Sequence, residues 1–493
     1  MEIGRFARFE ETISGPRGGT DVSTSVGLDV VFLAPDGRQF AWWGFHDGSR
    51  GWRLRFMPDQ IGTWQWRARF SDSSGETGGT FVCVESDLPG VLGPDRDNPI
   101  WFGYSGGTHA VVRSLHAGDR FFADKPNSIT GESWSPRART RFLDWVASHG
   151  YTMLSVGSHY LNRDSDGRGK GWNTPKLWDP VRHRPAPDEY RRMEAVLDEC
   201  AARGIVVYPF AGMFGQDAVF PLDHEMQERF VRYTMARLAP FWNIVYNVAG
   251  PEPLLKPKSF HHAMAAADVN RLGTLIARLD PFGHPVSIHN QNGDDPFRNE
   301  SWTGFATLQG GKGANWHGIH AWLLKNHTGT KPVYAQECLW SGNKYHEELT
   351  DDQIRSKAYV YLLSATTINF ADNDGNSSTG FSGTLEPDLR NERRHAIIKE
   401  AWDLLDSLPF WTMAPHPDLV SGGICLANPG HDYLVYLPEG GTVDITVVKE
   451  LEYTVRWIDP RAPGAIVDET VVTEGAGLMP PGEGDWLVHL SAR

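Results

Sequence analysis

The chain begins and ends with stretches in which apolar and polar positions alternate as they do in β-strands. Within residues 1–90, the runs Leu28 to Leu33 and Thr63 to Phe70 are rich in Val, Phe, Trp and Thr. After Pro409 the pattern returns, and it predicts strands at Gly423 to Ala427, Asp432 to Leu437, Thr442 to Val448, Glu452 to Ile458 and Trp486 to Leu490. The segment from Leu88 to Pro99 concentrates Pro, Gly and Asp, which places a boundary near residue 90. We therefore predict one β-sandwich at residues 1–90 and a second at residues 409–493.

Between residues 91 and 408, short apolar runs alternate with helical periodicity. Pro187, for example, opens a helix that stops at Gly204, and the strand Ile205 to Phe210 follows. The expected strands are His109 to Arg113, Tyr151 to Val156, Ile205 to Phe210, Ile244 to Val248, Pro285 to His289, Gly304 to Leu308, Val333 to Gln336 and Thr367 to Ala371. The expected helices start near Ser135-Pro136, Pro187, Asp223, Ser259, Trp316, Thr350 and Asn391. Eight strand-then-helix units predict an α/β fold, a (β/α)8 TIM barrel at residues 91–408 between the two sandwiches.

Charge and composition narrow the classes of partner. Lys and Arg number 47 against 61 Asp and Glu, a formal net charge of −14, which disfavours binding to nucleic-acid phosphates. No apolar run is long enough for a membrane span, and the N-terminus lacks the apolar core of a secretory signal. The four cysteines, Cys83, Cys200, Cys338 and Cys425, lie far apart with no C-x-x-C pair. We therefore expect a cytoplasmic protein without a structural zinc finger.

Two glutamates follow predicted barrel strands at the end where barrel enzymes hold their reactive groups. Glu252 follows strand four, and Glu337 directly follows Gln336 at the end of strand seven. A carboxylate at the mouth of an apolar strand costs desolvation energy, which favours a chemical use over a structural one. A pair of such groups is typical of the acid and nucleophile of a glycosidase. The competing interpretation is a structural carboxylate paired with a neighbouring Arg or Trp.

Polar side chains at the other strand ends are candidates for binding sugar hydroxyls. These candidates are His109, His159, Asn247, His289, Asn290, Gln309 and Asp372. For each of them, a hydrogen bond within a loop is the alternative role. Trp316 and Trp340 are candidates for a face on which a sugar ring stacks, with core packing as the alternative, in a chain that holds 19 tryptophans.

Metal-ligating patterns are present only in incomplete form. The segment Asn162 to Gly167 resembles the start of a calcium loop through Asp164 and Asp166, but Asn173 stands where a bidentate Glu is needed. The segment Asp372 to Gly375 is incomplete in the same way. His317 and His320 lie one helical turn apart without an evident third ligand. We therefore predict a solvated loop at residues 162–167 and no metal or cofactor.

Residues at both ends of the chain give it a resemblance to a known family. Gly44-Phe45-His46-Asp47-Gly48, Arg55-Phe56-Met57-Pro58 and Gly62-Thr63-Trp64 are similar to the leading sandwich of the DUF4038/DUF5060 group of glycoside hydrolases, which is related to apiosidase-like enzymes. Tyr433 to Pro438 and Trp457 to Pro460 are similar to the trailing sandwich of that group. The two glutamates look like those of retaining glycosidases built on (β/α)8 barrels. The resemblance therefore covers nearly the whole chain.

This resemblance implies a retaining glycoside hydrolase in which Glu337 is the nucleophile and Glu252 is the general acid and base. Related barrels place Asn directly before the acid, whereas this sequence has Gly250-Pro251 there. The implied reaction is a double displacement on a small glycoside or an oligosaccharide. Carboxyl groups about 5 to 5.5 Å apart would fit retention, and about 6.5 to 9.5 Å would fit inversion.

Two other functions remain open for this chain. A carbohydrate-binding or adhesive protein would share the fold without turning over a substrate, and a metal-dependent barrel hydrolase would lose activity on chelation.

Exposed tryptophan rings would favour association with the barrel or with a second copy of the chain. The rings in question are Trp42, Trp43, Trp64 and Trp66. A homo-oligomer is therefore a hypothesis.

Overall fold

The computed structural model describes most of the chain, apart from several loops around the central sheet. The described residues are 1–16, 26–118, 136–156, 177–179, 181–210, 212–214, 220–250, 264–289, 293–310, 315–342, 348–372, 391–462 and 465–493. Within them the order of elements is an N-terminal group of strands, a central group in which strands and helices alternate, and a C-terminal group of strands. This order matches the hydrophobic pattern of the sequence.

The N-terminal strands form two sheets with aromatic rings between them. The strands are β1 (Glu2–Gly4), β2 (Phe9–Ile13), β3 (Leu28–Leu33), β4 (Gln39–Trp43), β5 (Phe45–His46), β6 (Trp52–Phe56), β7 (Gly62–Phe70) and β8 (Glu76–Val84). One sheet has the order β1-β8-β7-β3-β4 and the other β2-β6-β5. Phe9 of the second sheet stacks on Phe81 of the first at 4.4 Å between ring centroids, and Phe56 stacks on Phe32 at 4.0 Å. Aromatic packing therefore joins the two sheets.

Most of the tryptophan rings predicted to form an exposed face are buried. Trp42 is 1 % exposed, Trp64 0 % and Trp66 8 %, while Trp43 is half-buried. Trp42 contacts Phe282 of the central region at 5.4 Å between ring centroids. These rings therefore pack inside the chain, which removes the exposed area from which association of two copies was inferred.

A three-stranded antiparallel sheet connects the N-terminal sheets to the central region. Its strands are β9 (Leu92–Pro94), β10 (Phe102–Tyr104) and β11 (His109–Ala110), in the order β11-β10-β9. The side chains of Asn98 and Trp101 both donate to the carbonyl oxygen of Met413, at 3.1 Å and 2.9 Å. The connecting sheet is thereby tied to the start of the C-terminal region.

The central region consists of strands and helices in alternation. Its strands are β12 (Ser114–Gly118), β13 (Met153–Val156), β14 (Trp178–Asp179), β15 (Arg184–Pro185), β16 (Val206–Pro209), β17 (Tyr246–Asn247), β18 (Val286–Ser287), β19 (Ala306–Leu308), β20 (Val333–Ser341) and β21 (Thr366–Asp372). Its helices are α1 (Pro136–Ser148), α2 (Pro187–Ala201), α3 (His224–Leu238), α4 (Ala266–Leu279), α5 (Trp316–Asn326), α6 (Asp351–Leu363) and α7 (Glu392–Asp406). Asp223 caps α3, and Thr350 with Gln353 forms the predicted capping box of α6.

Six of the central strands form a curled parallel sheet, in the order β16-β13-β12-β21-β20-β19. Strands β17 and β18 form a separate parallel pair, and single parallel bridges join Val207 to Ile244 and Val286 to Thr303. The sheet interior is filled by side chains such as Tyr208 and Tyr334, which contact each other at 5.5 Å. The first strand of this sheet, β12, lies about one strand length after the predicted His109 to Arg113, so that prediction was wrong in position.

The C-terminal strands form a six-stranded sheet and a two-stranded sheet. The strands are β22 (Ala414–Pro415), β23 (Ile424–Asn428), β24 (Asp432–Leu437), β25 (Val443–Ile445), β26 (Tyr453–Ile458), β27 (Ile466–Val472), β28 (Gly475–Leu478) and β29 (Trp486–Ala492). The larger sheet has the order β22-β23-β24-β29-β26-β27, and β25 pairs with β28. Arg355 of α6 binds both carboxylate oxygens of Asp485 at 2.9 and 3.0 Å, which joins this region to the central helices.

A buried cluster of charges joins the N-terminal sheets to helices α2 and α3; we call Asp47, Arg55, Glu194 and Arg237 the charge cluster. Arg237 is 0 % exposed and donates to both oxygens of Glu194, at 2.6 and 2.9 Å, and to Asp47 at 2.7 Å. Arg55 donates to Glu194 at 3.1 Å and to the carbonyl oxygen of Arg237 at 3.1 Å. Burial acts to raise the pKa of Glu194, but the hydrogen bonds of Arg237 and the charge of Arg55 outweigh it and hold that pKa at about 2.

The described helices show no candidate for a membrane span, since none of them combines the necessary length with sufficient apolar character.

Candidate active site

Glu337 lies in a bulge of strand β20. The pairing with β21 passes from Ala335–Ile368 directly to Leu339–Phe370, so three residues of β20 stand opposite Asn369 alone. Within the bulge Glu337 has a φ of +54°, a left-handed conformation that is uncommon for a residue with a side chain. Strand β20 continues to Ser341, so it ends five residues beyond the predicted end at Gln336 and includes the glutamate. A bulge redirects a side chain at the cost of local strain, and such strain clusters at functional sites.

Asn369 of β21 supports this backbone conformation. Its Oδ1 accepts the backbone N–H of Glu337 at 3.3 Å, and its Nδ2 donates to Ser114 Oγ at 3.1 Å. Ser114 Oγ also lies 2.7 Å from the hydroxyl of Tyr334, and Asn369 is 0 % exposed. A short hydrogen-bonded chain across β21, β12 and β20 thus holds the peptide group of Glu337.

Three polar side chains surround the carboxylate of Glu337, which is only 4 % exposed. Gln309, just after β19, donates its Nε2–H to Glu337 Oε2 at 2.6 Å. His289 Nε2 lies 3.6 Å from the same oxygen, and His116 Nε2 lies 4.0 Å from Oε1. The N–H of Gln309 favours the ionised form of this buried carboxyl group, whereas the two histidine nitrogens lie beyond hydrogen-bond distance. The site therefore presents a buried carboxyl group that accepts a hydrogen bond from Gln309 and has two imidazole rings beside it.

His116, on β12, is held between aromatic rings and a glutamine. Its ring lies 4.8 Å from that of Trp340 and 5.2 Å from that of Phe210. Ser155 Oγ donates to Gln336 Oε1 at 2.8 Å, and Gln336 Nε2 lies 3.5 Å from His116 Nδ1. The amide of Gln336 thus faces Nδ1 of the ring, and Nε2 is the ring nitrogen that faces Glu337.

Of the predicted binding residues, His289, Gln309 and Trp340 gather around Glu337. Asn247 lies on the neighbouring strand β17, but its amide is engaged with the backbone: Nδ2 donates to the carbonyl oxygen of Phe210, and Oδ1 accepts the N–H of His289 at 3.2 Å. Asn247 therefore connects the ends of β16 and β18 and orients His289. The structure gives it a supporting position beside the site.

Trp316 and Asp372 lie at the ends of elements that border this side of the sheet. Trp316 begins α5, the helix that follows β19, and its indole N–H donates to Glu439 of the C-terminal region at 3.1 Å. Asp372 is the last residue of β21, and its side chain lies outside the described part of the structure.

His109 does not lie at the site, because it precedes the first strand of the curled sheet instead of ending it. On β11 its Nδ1 lies 2.6 Å from Asp95 Oδ2, its Nε2 lies 3.6 Å from Asp97, and its ring stacks on Trp411 at 4.2 Å. These contacts connect the linking sheet to the C-terminal region. His109 was chosen as a strand end only because β12 was predicted too early.

Several predicted residues fall outside the described part of the structure. They are Glu252, His159, Asn290 and the calcium-like segment Asn162 to Gly167 with Asp164 and Asp166. The separation of the two glutamates, on which the choice between retention and inversion depends, therefore stays a prediction. Asn373 to Gly375 also lie outside the described residues.

Sequence reasoning missed two members of the site, His116 and Asn369. Both stand within apolar runs, Leu115-His116-Ala117 and Ile368-Asn369-Phe370, where a single polar residue interrupts a buried strand. Such an interruption was the available signal, because a buried polar side chain needs a partner. His116 was missed because β12 was predicted too early in the chain, and Asn369 was missed because it lies before the predicted end of its strand.

Within the described residues, one group has the geometry to hold a metal ion, and it is distant in the chain from Glu337. It consists of Asp95, Asp97 and His109. Asp95 already accepts the backbone N–H groups of Asp97 and Asn98 at 2.9 and 3.1 Å, in addition to its contact with His109. The aspartate is thus satisfied by a turn and by its contact with the ring of His109, and these contacts do not require a metal.

Comparison with known proteins gives matches at the level of families and of folds. Residues 130–368 match the family described as the apiosidase-like catalytic domain, and residues 2–71 match a domain of unknown function, DUF5060. The catalytic-domain match includes the bulged strand with Glu337. It does not include β12, which ends before residue 130. No curated protein matches the sequence.

Among solved structures, a candidate glycoside hydrolase from Bacteroides vulgatus is similar along the whole chain, with 17 % identity, a TM-score of 0.76 and 100 % coverage of both chains. A family 5 glycoside hydrolase from the same organism covers 83 % of this chain and 95 % of its own, with 13 % identity and a TM-score of 0.61. A third structure, named only as a glycoside hydrolase, covers 83 % and 98 % with 13 % identity and a TM-score of 0.58. At these identities the likeness concerns the fold.

Proposed function

We propose that this chain, a glycoside hydrolase by its match to the apiosidase-like catalytic domain, cleaves its substrate with retention of configuration. The reaction is a double displacement in which Glu337 is the nucleophile and Glu252 is the general acid and base. The observation that carries this proposal is the setting of Glu337: a buried carboxylate, presented by a bulged strand, with the N–H of Gln309 on one oxygen and two histidine rings beside it. That setting suits a group that must be ionised and unprotonated when the substrate binds.

In the first step a carboxylate oxygen of Glu337 attacks the anomeric carbon, and the bond to the leaving oxygen breaks as Glu252 gives it a proton. In the second step Glu252 takes a proton from water, the water oxygen attacks the same carbon, and the ester bond to Glu337 breaks. Gln309, His289 and His116 stabilise the carboxylate before attack and again when it leaves.

We also infer that the eight central strands other than the β14–β15 pair close into a (β/α)8 barrel. Two single bridges support closure, because they lie on either side of the β17–β18 pair: Val207 to Ile244 on the β16 side and Val286 to Thr303 on the β19 side. Backbone hydrogen bonds accompany them, from Val245 to Val207 at 3.0 Å and from Gly304 to Val286 at 2.8 Å. Closure would bring the loop after β17, which contains Glu252, to the same mouth as Glu337.

The substrate in this proposal is a small glycoside or an oligosaccharide. Gln309 supports a role in binding, since its Oε1 is buried and has no hydrogen-bond partner in the described structure, while its Nε2 holds Glu337. Oε1 is thus placed to accept a hydrogen bond from a sugar hydroxyl. Trp340 would offer an apolar wall beside it, and His159, Asn290, Trp316 and Asp372 stay candidates at the rim.

The wider organisation is proposed in the same way. We assign residues 1–90 and 409–493 to β-sandwich domains that flank the catalytic barrel, in agreement with the paired N-terminal sheets and the C-terminal sheets. We also assign the protein to the cytoplasm, and the four buried cysteines, which form no disulfide in the described structure, support that assignment. Immunoblotting of cell fractions with an antibody against the protein tests the cytoplasmic assignment.

The test of the mechanism begins with a screen of aryl pyranosides and furanosides, followed by NMR of the first anomer formed. We expect a product of retained configuration. Glu337→Gly should then lose activity by at least about a thousandfold and recover part of it with azide, giving a glycosyl azide of inverted configuration, because azide attacks in place of the carboxylate. Glycine suits the left-handed φ at this position, so the variant should fold.

Three outcomes would contradict the proposal. A first-formed anomer of inverted configuration would exclude double displacement. Wild-type activity in the Glu337 variant would exclude that residue, and loss of activity on chelation would indicate the metal-dependent alternative. If no glycoside is turned over while Glu337→Gln still binds sugar, the carbohydrate-binding alternative would take its place.

A further inference from the structure

A cleft of about 340 Å³ lies between the N-terminal sheets, helix α3 and the β14–β15 hairpin. Its walls include Trp43 and Trp52 from the sheets, Trp178 and His183 from the hairpin, and Arg232 from α3. None of these residues belongs to the group around Glu337. A volume of this size accommodates a monosaccharide unit, and aromatic walls with a few polar groups are typical of ligand sites.

One residue of the cleft wall carries a buried hydrogen-bond donor. The indole N–H of Trp52 is buried, the residue being 3 % exposed, and it has no hydrogen-bond partner in the described structure. Tyr233, by contrast, donates its hydroxyl to the carbonyl oxygen of His46 at 2.9 Å and is satisfied. A buried N–H without an acceptor costs free energy, and a ligand whose acceptor oxygen reached this N–H from the cleft would recover that cost.

The charges along the cleft favour a negatively charged ligand. Arg232 lies with its guanidinium carbon 4.5 Å from the ring centroid of Trp43, and no ion pair to it is found among the described residues. Arg229 also lines the cleft but pairs with Glu225 at 2.7 Å. Asp29, which is exposed, is the acidic residue on the walls. Arg232, fixed by Trp43, is therefore a cation without a carboxylate partner in a chain of net charge −14.

We propose that this cleft is a second carbohydrate site, which binds an acidic sugar of the uronate type with its carboxylate on Arg232 and its ring against the tryptophan walls. A uronate combines what the cleft lacks, namely a carboxylate and several oxygen acceptors, with the apolar face that aromatic walls contact. The site is independent of the chemistry at Glu337, and it would hold an acidic branch of a substrate or product against the flank of the catalytic region.

Calorimetry on the full-length Glu337→Gln protein, in which turnover is suppressed, tests the proposal. Methyl β-glucuronide and methyl β-glucoside form a matched pair that differs in the carboxylate. We expect the glucuronide to bind at least about tenfold more tightly, and Arg232→Gln to remove that preference. Arg182→Gln, on an exposed residue of the same hairpin that does not line the cleft, should leave binding unchanged.

A gain of affinity provides a second test that unfolding cannot imitate. Asp29→Asn removes the acidic wall residue, so the glucuronide should bind several-fold more tightly to this variant. In the otherwise wild-type protein, Arg232→Gln should leave the hydrolysis of neutral aryl glycosides unchanged, which separates this site from the proposed catalytic one. No preference for the glucuronide, a preference that survives Arg232→Gln, or equal competition by inorganic phosphate would each overturn the proposal.

Discussion

The side-chain amide of Gln309 donates to Glu337 Oε2 at 2.6 Å and so joins the end of strand β19 to the bulge of strand β20. The two residues come from neighbouring parallel strands, and the bond forms at the point where β20 bulges away from its regular pairing. A single hydrogen bond therefore connects the orientation of the carboxylate to the position of the next strand. This relationship yields a prediction about the role of Gln309.

Replacing Gln309 with Leu removes a donor from the carboxylate and leaves the rest of its surroundings in place. We expect kcat/KM to fall about 10- to 100-fold, with the acidic limb of its pH profile displaced to higher pH, because the ionised form loses a stabilising N–H. Steady-state rates from pH 4 to 9 on an aryl glycoside would measure both effects. The exposed Gln39, replaced in the same way, is the control, and a profile that only drops in height would count against this role.

Asn369→Ala should lower activity because it releases the peptide group of Glu337 from its left-handed conformation. Asn243 offers a matched control: it is also 0 % exposed, and its Nδ2 donates to the carbonyl oxygens of Leu197 and Ile205, each at 3.0 Å. Both alanine variants should lose about 1–3 kcal/mol of unfolding free energy, but Asn369→Ala alone should lower kcat, by about tenfold or more. Equal kcat in the two variants would show that Asn369 supports only the fold.

The charge cluster should make the N-terminal sheets and the central region unfold together. Arg237→Met leaves Glu194 and Asp47 buried with less compensation, so we expect a loss of about 3–5 kcal/mol in the unfolding free energy. Arg229→Met, on the same helix but 54 % exposed at the side chain, should cost less than about 1 kcal/mol. Urea denaturation followed by tryptophan fluorescence would measure both, and similar values for the two variants would contradict this account.

The same cluster predicts a loss of stability in acid. The pKa of Glu194 is about 2 in the folded chain against a usual value near 4.5, so its contribution is complete above the higher value and disappears as the pH falls toward the lower one. Arg237→Met should remove part of this dependence. The difference in unfolding free energy between the variant and the wild type should therefore shrink below about pH 4.

His320 predicts a second pH dependence at milder pH. Burial lowers its pKa to about 4, and the nearby His317 and His327 act in the same direction. Its Nδ1 lies 2.7 Å from Ser364 Oγ, and its Nε2 is buried without a partner in the described structure. Below about pH 6.5 the unfolded chain binds a proton that the folded chain does not take up until about pH 4, so the unfolding free energy falls across this interval.

His320→Gln should make that fall shallower, by about 1–2 kcal/mol between pH 7 and 4.5. The exposed His431, replaced with Gln, serves as the control. Urea titrations at half-unit steps of pH would give the two slopes. Parallel slopes for the wild type and His320→Gln would show that this histidine does not contribute to acid sensitivity.

The hydrophobic pattern predicted the order of elements well, because each helix and strand carries its own local signal. Pro187, Asp223 and the pair Thr350–Gln353 mark helix starts that the structure confirms. The same reasoning misplaced the first central strand, since Val111 and Val112 look as apolar as Leu115 and Ala117. Local sequence does not tell which of two adjacent apolar runs will pair with β13 and β21.

The candidate site could be predicted in part, for a similar reason. Strand ends identified Glu337, His289 and Gln309, which the structure brings together. The left-handed conformation of Glu337 could not be predicted, because it arises from unequal strand lengths opposite Asn369 and has no signature in the glutamate itself. His116 escaped notice because its role depends on a neighbour more than two hundred residues away, which is brought close by the pairing of β12 with β21 and of β21 with β20.

The charge cluster also limits how this enzyme could be cut down to a minimal catalytic fragment. Removing the N-terminal sheets would take away Asp47 and Arg55, leaving Arg237 and Glu194 on a newly wetted flank beside the apolar patch around Phe241 and Phe282. Such a fragment would be prone to aggregate unless that flank were redesigned with polar substitutions at the two phenylalanines. A transfer of the catalytic region to another protein should therefore include the N-terminal sheets together with the central region.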